Sequence, residues 1–141
     1  MKWEYPSEEI IHIKQVKIGK INAIVALSGE SQDSEPGLNN QEIANFVKRL
    51  YQATSVPLIL QWEIEEYLKD IPKAMVIHPY SIKEKDFDTY EVLYQAKQFC
   101  NKFKWKNILL VAHPAHLPKA RLAAKQLGFR VYIPYELLTY R

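Results

Sequence analysis

The chain has 141 residues, of which 48% are hydrophobic and 25% are charged, and its formal net charge is +3. This length is enough for one domain with a real hydrophobic core, and the composition is that of an ordinary globular protein. The basic residues are dispersed along the chain and share it with an acidic stretch (Glu30, Asp33, Glu35). Because phosphate backbones bind to concentrated basic faces, we predict no nucleic-acid partner.

The single cysteine, Cys100, excludes an internal disulfide and is typical of a reducing compartment. No apolar run approaches the roughly 20 residues that span a bilayer, and the N-terminus lacks the features of a signal peptide. We therefore expect a cytoplasmic protein without a membrane segment. The oligomeric state does not follow from the sequence.

The N-terminal half predicts two strands around one amphipathic helix. The first 20 residues allow a helix, an edge strand or both, and the apolar run Asn22–Ser28 predicts the first buried strand. Asn39 and Glu42 have the spacing of a capping box, and apolar residues then recur at helical spacing to about Ala53. Val56–Trp62 is the second predicted strand, and a short helix follows it.

The C-terminal half continues this alternation of strands and helices. Its predicted elements are the strand Ala74–His78, a helix that Asp88 begins, the strand Asn107–Ala112, a helix from Leu117 that Gly128 ends, the strand Phe129–Ile133 and a tail, Pro134–Arg141. Strands separated by helices of this length predict crossover units. We therefore predict one α/β domain over residues 1–141, a three-layer Rossmann-like domain with a mainly parallel sheet of about five strands. The predicted core has buried strand residues, onto which helix residues pack. The strand residues are Ile24, Val25, Ile59, Val76, Leu109 and Leu110, and the helix residues are Phe46, Phe99, Ala120 and Leu127.

Open parallel sheets bind ligands in the crevice beyond the carboxyl ends of their strands, and several polar residues of this chain fall there. Gln61 and His78 lie at the carboxyl ends of the second and third predicted strands, but we assign them no role. The predicted ligand-binding residues follow strands or begin helices at this edge: Ser28, Gly29, Glu63, Thr89, Glu91, His113 and Lys119.

Plain structural roles are alternatives for several of these residues. Ser28 and Gly29 can form a simple tight turn, since neither a GxGxxG fingerprint nor a P-loop is present. Asp88 and Glu91 fit helix capping as well as ligand binding.

His116 is the candidate catalytic residue, because an imidazole at a helix start can transfer protons near neutral pH. His113 and His116 are three residues apart, a spacing that also suits zinc, but no third ligand follows by spacing and we predict no metal site. Ordinary surface histidines remain the alternative. Lys119 lies one helical turn after His116 and can meet an anion, whereas we expect Arg121 in solvent and Cys100 in the core.

The segments DTYE (Asp88–Glu91) and LLVAHPAHLPKA (Leu109–Ala120) together resemble the bacterial YdcF/SanA/ElyC family, a widespread domain of unknown function. Thr89 and Glu91 match the helix start of that family, His116 matches its histidine after a buried strand, and Lys119 stands at its arginine position. The resemblance extends roughly from residue 22 to residue 133 and is specific only in the C-terminal half.

The chain departs from that family at several positions. Leu60–Glu63 replaces the Ser-Gly-Gly of the family, Val92 replaces its Asn, and Ala112 and His113 replace its Thr-Ser. Lysine in place of the usual arginine keeps the charge but loses bidentate geometry. Many relatives carry membrane segments, which this sequence lacks.

The resemblance implies a small nucleotide-like or anionic ligand, for which S-adenosylmethionine, another nucleotide-like molecule or a phosphorylated or sugar-linked metabolite are candidates. Glycine turns and helix N-termini suit anionic groups. In an enzyme His116 would transfer a proton, Lys119 would neutralise an anion, and Glu91 or Glu63 would position a hydroxyl or the histidine. The alternative is a degenerate, non-catalytic member that acts as a binding or interaction module, for example through the tyrosines of its C-terminal tail.

Overall fold

The computed structural model describes residues 5–29, 39–78 and 88–139. Within them, six parallel strands form one sheet in the order β4-β3-β2-β5-β6-β1, which confirms the predicted α/β, Rossmann-like fold. The strands are Ile10–Ile11 (β1), Ala23–Ala26 (β2), Leu58–Gln61 (β3), Met75–Ile77 (β4), Asn107–Val111 (β5) and Arg130–Pro134 (β6).

Helices connect these strands and cover both faces of the sheet. They are Asn40–Thr54 (α1), Trp62–Glu65 (α2), Thr89–Asn101 (α3), Leu117–Gln126 (α4) and Tyr135–Leu138 (α5), with short 3-10 helices at Ser7–Glu9 and Ile13–Gln15. The chain steps from β2 to β3 in one direction along the sheet and from β5 to β6 in the other. Because right-handed crossovers are the rule, α1 and α2 lie on one face and α3 and α4 on the other, in agreement with the packing of α1 on α2 and of α3 on α4.

Local sequence signals set the helix ends. The Asn39 side chain accepts from the Glu42 N–H at 2.9 Å and the Glu42 carboxylate accepts from the Asn39 N–H at 3.3 Å, which is the predicted capping box. Asp88 caps α3 by accepting from the Tyr90 N–H at 3.0 Å. Gly128, with φ +95°, follows the end of α4 in a conformation that other residues rarely adopt.

The core matches most of the expected residues. Ile24, Val25, Ile59, Leu109, Leu110, Phe46 and Ala120 are buried, as is Cys100, where burial raises the pKa of the thiol to about 11. Val76 is only half-buried, so its predicted burial is wrong. Phe99 and Leu127 are half-buried and pack against the core, as predicted for them. Val76 lies in β4, which has a neighbouring strand on one side only among the described residues.

The N-terminal segment contributes both an edge strand and 3-10 helices. Ile10 of β1 pairs with Ile133 of β6, and the Glu9 carboxylate beside it receives three short hydrogen bonds. Arg121 donates to it from Nε at 2.6 Å and from Nη2 at 3.0 Å, and Lys125 donates from Nζ at 2.7 Å. The expectation that Arg121 is solvated is therefore wrong, because its partner comes from a segment 112 residues away.

The predicted C-terminal tail is largely part of the fold. Pro134 ends β6, and Leu137 of α5 is buried. Glu136 accepts from the Ile13 N–H at 3.1 Å, which joins the C-terminal helix to the N-terminal segment. Tyr135 is 42% exposed, and Tyr140 lies outside the described residues. No helix in the described part of the chain is both long and apolar enough to cross a membrane.

Candidate functional site

The winding of the sheet reverses between β2 and β5, which are hydrogen-bonded neighbours. Open α/β sheets bind their ligands at the carboxyl ends of the strands that flank such a reversal. Here the turn after β2, the turn after β5 and the start of α4 meet at that position.

The turn after β2 is held by two buried or half-buried side chains. The Ser28 N–H donates to Gln61 Oε1 at 3.0 Å, and the Gly29 N–H donates to Asn40 Oδ1 at 2.8 Å. Gln61 ends β3 and is only 7% exposed, so it is a buried polar residue at the edge of the sheet. Each described amide of this turn therefore already has an acceptor within the protein.

Gly29 and His113 face each other across the reversal. A methyl group placed on Gly29 would lie 3.9 Å from the His113 Cβ and 3.8 Å from Asn40 Oδ1, both ordinary contact distances. Gly29 does not have a positive φ, so the conformation of the turn does not require glycine. The structure thus brings the two predicted turns into contact.

His113 shapes the connection from β5 to α4. Its carbonyl oxygen accepts from the His116 N–H at 2.8 Å and from the Leu117 N–H at 3.0 Å. Its Nδ1 accepts from the Ala115 N–H at 3.0 Å, which in the neutral ring leaves the proton on Nε2. His113 is therefore held by its backbone and by one ring nitrogen, with Nε2 as a donor.

His116 occupies the N-cap position of α4 but makes no side-chain capping bond. Its ring meets the His113 ring edge to face, with centroids 5.7 Å apart and an interplanar angle of 61°. The His116 Nε2 atom is buried and has no hydrogen-bond partner among the described residues. Such an atom is costly to bury without a partner, and a bound ligand or an ordered water can supply one.

Glu63 presents a second buried atom of this kind. It lies in the first turn of α2, two residues after the end of β3, and its Oε1 is buried without a hydrogen-bond partner among the described residues. In the described part of the chain only three side-chain polar atoms have this property, and the third is the hydroxyl of Tyr5. Two of the three thus belong to residues that the sequence predicts to bind ligand.

The remaining predicted residues, Thr89, Glu91 and Lys119, also belong to this edge of the sheet. Thr89 and Glu91 lie half-buried in the first turn of α3, which packs beside α4. Lys119 is exposed, in the first turn of α4. No hydrogen bond or ion pair joins these three to His113 or His116 among the described residues.

Gln61 and Asn40 are the functional candidates that the sequence did not single out. Gln61 is the one polar residue in the strand Leu58–Gln61, and that position at a strand end is the signal that could have identified it. Asn40 has no such signal. It directly follows the capping residue Asn39, and a helix start accounts for both asparagines without a functional role.

The two histidines do not form a metal centre with other described residues. No group of three or more histidine, cysteine, aspartate or glutamate side chains in the described part of the chain could hold an ion. Because His113 Nδ1 accepts a hydrogen bond, the proton of the neutral ring is on Nε2. Neither ring nitrogen of His113 is then free to coordinate a metal.

Comparison with known proteins adds no assignment. No family model matches the chain, and no curated protein or solved structure matches it at a significant level.

Proposed function

We propose that this protein is a divergent relative of the YdcF/SanA/ElyC family that binds a small nucleotide-like or anionic ligand at the reversal between β2 and β5. The proposal places the ligand in the crevice bordered by the turn after β2, the turn after β5 and the start of α4. S-adenosylmethionine is one candidate among nucleotide-like molecules.

The observation that carries the proposal is the pair of buried, unpartnered atoms at this edge, His116 Nε2 and Glu63 Oε1. Buried polar groups are hydrogen-bonded in the great majority of cases, and each exception calls for a partner. The two residues follow strands on either side of β2, which are separated by two strand spacings, roughly 10 Å. One ligand over the end of β2 can supply a partner to both.

The chemistry that these groups support is hydrogen bonding and proton transfer. His116 would exchange a proton with the ligand through Nε2, since an imidazole nitrogen can act as a general acid or base. His113 would donate from Nε2, and Glu63 would accept from a hydroxyl or an amine. Lys119, exposed one turn into α4, would meet an anionic group at the mouth of the crevice.

A non-catalytic binding or interaction module is the second candidate. The Ser28 and Gly29 amides are occupied by protein acceptors, and Val92, at the family's asparagine position, is 1% exposed and belongs to the core. Both observations favour a chain that keeps the fold and has lost part of the family's polar site.

Thermal-shift screening tests the proposal. We expect at least one probe among ribonucleosides, nucleotides, S-adenosylmethionine, sugar phosphates and inorganic phosphate to raise the melting temperature of the protein. His116→Ala should abolish that shift while leaving the melting temperature without ligand within a few degrees. Lys119→Ala should abolish the shift of an anionic probe. Its matched control is Lys102→Ala, which removes an exposed lysine just after the end of α3 and should bind as the parent does.

The outcomes separate the two candidates. A shift that His116→Ala removes supports ligand binding at this crevice. A complete absence of shifts, or shifts that survive His116→Ala, would contradict the proposed site and favour the non-catalytic module.

A further inference from the structure

The backbone donors of the turn after β2 and of the first residue of α4 are already in use. The amides of Ser28 and Gly29 donate to Gln61 and Asn40 at 3.0 and 2.8 Å. The first amide of α4, that of Leu117, donates to a carbonyl at 3.0 Å, and the next residue, Pro118, has no N–H. Phosphate groups bind where several free backbone amides converge, so this turn and the first residue of α4 are poorly suited to bind a phosphate.

The polar atom left unsatisfied near the same turn is an acceptor. Glu63 Oε1 is buried without a partner, and Glu63 forms no ion pair with a described residue. The neighbouring cations Lys69 and Lys73 are both bound to Glu65, at 3.0 Å each. An unneutralised carboxylate repels phosphate and accepts hydrogen bonds from hydroxyl groups.

Gln61, two residues before Glu63, supplies a hydrogen-bond donor beside this acceptor. Its Oε1 must accept the Ser28 N–H, since an amide N–H₂ cannot do so, and the group that the side chain has left for other partners is therefore its N–H₂. Gln61 is 7% exposed and held at its oxygen, so this donor is fixed in place. A donor and an acceptor together match hydroxyl groups, each of which both donates and accepts.

We infer that the crevice recognises the vicinal diol of a ribose or other sugar ring, with Glu63 accepting hydrogen bonds from the hydroxyls, and that a phosphate contributes nothing to this recognition. The inference rests on the proposed function and narrows it from nucleotide-like or anionic ligands to ligands with a neutral diol. In dinucleotide-binding sheets an acidic residue downstream of the glycine turn accepts the ribose hydroxyl. Glu63 likewise follows the second strand of the unit β2–α1–β3, and the amides of the turn after β2 have acceptors within the protein.

Paired probes test the inference by isothermal titration. The four common ribonucleosides are compared with their 2′,3′-dideoxy counterparts, and the best of them with its 5′-monophosphate. Methyl β-D-ribofuranoside and inorganic phosphate are titrated separately. We expect the dideoxy form to bind about 10- to 100-fold more weakly, the loss expected for hydrogen bonds to a charged group, and the monophosphate to bind no more tightly than the nucleoside.

Glu63→Gln and Glu66→Gln form a matched pair of variants, since both remove one negative charge within the same short segment and Glu66 is exposed. Glu63→Gln should remove most of the preference for the ribose over the dideoxyribose. It should not lower the melting temperature without ligand, because the carboxylate that it replaces is unpaired there. Glu66→Gln should keep the preference of the parent.

Each outcome has one meaning. If methyl β-D-ribofuranoside binds by itself, the ligand is a sugar. If only whole ribonucleosides bind, the ligand is a nucleoside. Both results support the inference. Tight binding of inorganic phosphate, or equal binding of ribo and dideoxy probes, overturns the inference and leaves the proposed function standing. Failure of every probe overturns both.

Discussion

Glu9 ties the N-terminal segment of the chain to α4. Its carboxylate receives two hydrogen bonds from Arg121, at 2.6 and 3.0 Å, and one from Lys125 at 2.7 Å. The Arg121 hydrogen bond is the main cause that lowers the pKa of Glu9 below its ordinary value of 4.5. Because the side chain of Glu9 is only 10% exposed, solvent screens this contact little.

The lowered pKa of Glu9 gives the stability of the protein a definite dependence on pH. A carboxyl whose pKa is lower in the folded state stabilises the fold above its unfolded pKa, and this contribution is lost as the pH falls through its folded pKa. Glu9→Gln should therefore lower the free energy of unfolding by about 1–3 kcal/mol at pH 7 and by much less near pH 3. Urea unfolding at both pH values measures this, with the exposed Glu8→Gln as control. An equal effect of Glu9→Gln at both pH values would show that the ion pairs do not contribute.

Single residues were predictable from the sequence where their partners are close along the chain. The partners of the predicted capping box, Asn39 and Glu42, are three residues apart, and their hydrogen bonds confirm it. The contact of Arg121 was not predicted, since its partner Glu9 is 112 residues away and no local pattern indicates such a pair. The hydrogen bond between Gln61 and the Ser28 amide escaped prediction for the same reason, as 33 residues separate the two.

At the scale of elements, hydrophobic pattern and length decided what the sequence could predict. The five strands with apolar runs were predicted, because such runs of five to seven residues are typical of buried parallel strands. β1 has two residues and no pattern of its own, and it forms a strand because β6 offers a free edge beside it. Its existence is therefore a tertiary effect.

β5 supplies the element whose burial can be measured most cleanly. Leu110 pairs with Val25 of β2 in the centre of the sheet and is 0% exposed. Leu110→Ala should lower the free energy of unfolding by roughly 2–5 kcal/mol, from lost burial and the cavity left behind. Leu122→Ala, at a residue that is 57% exposed on α4, should change it by no more than about 0.5 kcal/mol. Chemical denaturation compares the two, and similar small effects would contradict the central position of β5.

At the scale of the whole molecule, the sheet brings the two ends of the described chain together. β1 pairs with β6, and Glu136 of α5 accepts the Ile13 N–H at 3.1 Å. The ring of His12 also packs on Tyr135, with centroids 4.5 Å apart. The N-terminal segment is therefore part of the fold.

The predicted fold was enough to locate the turns of the candidate site but not to orient its side chains. Strand order places Ser28, Gly29 and His113 together, because the two turns follow neighbouring strands at the reversal. The direction of each side chain could not be predicted, since it depends on packing between elements far apart in sequence. Lys119, for example, lies in the first turn of the helix whose N-cap position His116 occupies, and yet it is exposed.

Mapping ligand contacts by amide chemical shifts is the most direct test of the central claim that the β2–β5 reversal binds a diol-bearing ligand. The protein is labelled with nitrogen-15 and titrated with the best-binding ribonucleoside. We expect the largest shifts at the amides of Ser28, Gly29, Glu63 and His116, and none at Lys106 and Asn107, at the opposite edge of the sheet. Shifts concentrated at that opposite edge, or no shifts at any ribonucleoside concentration, would contradict the account.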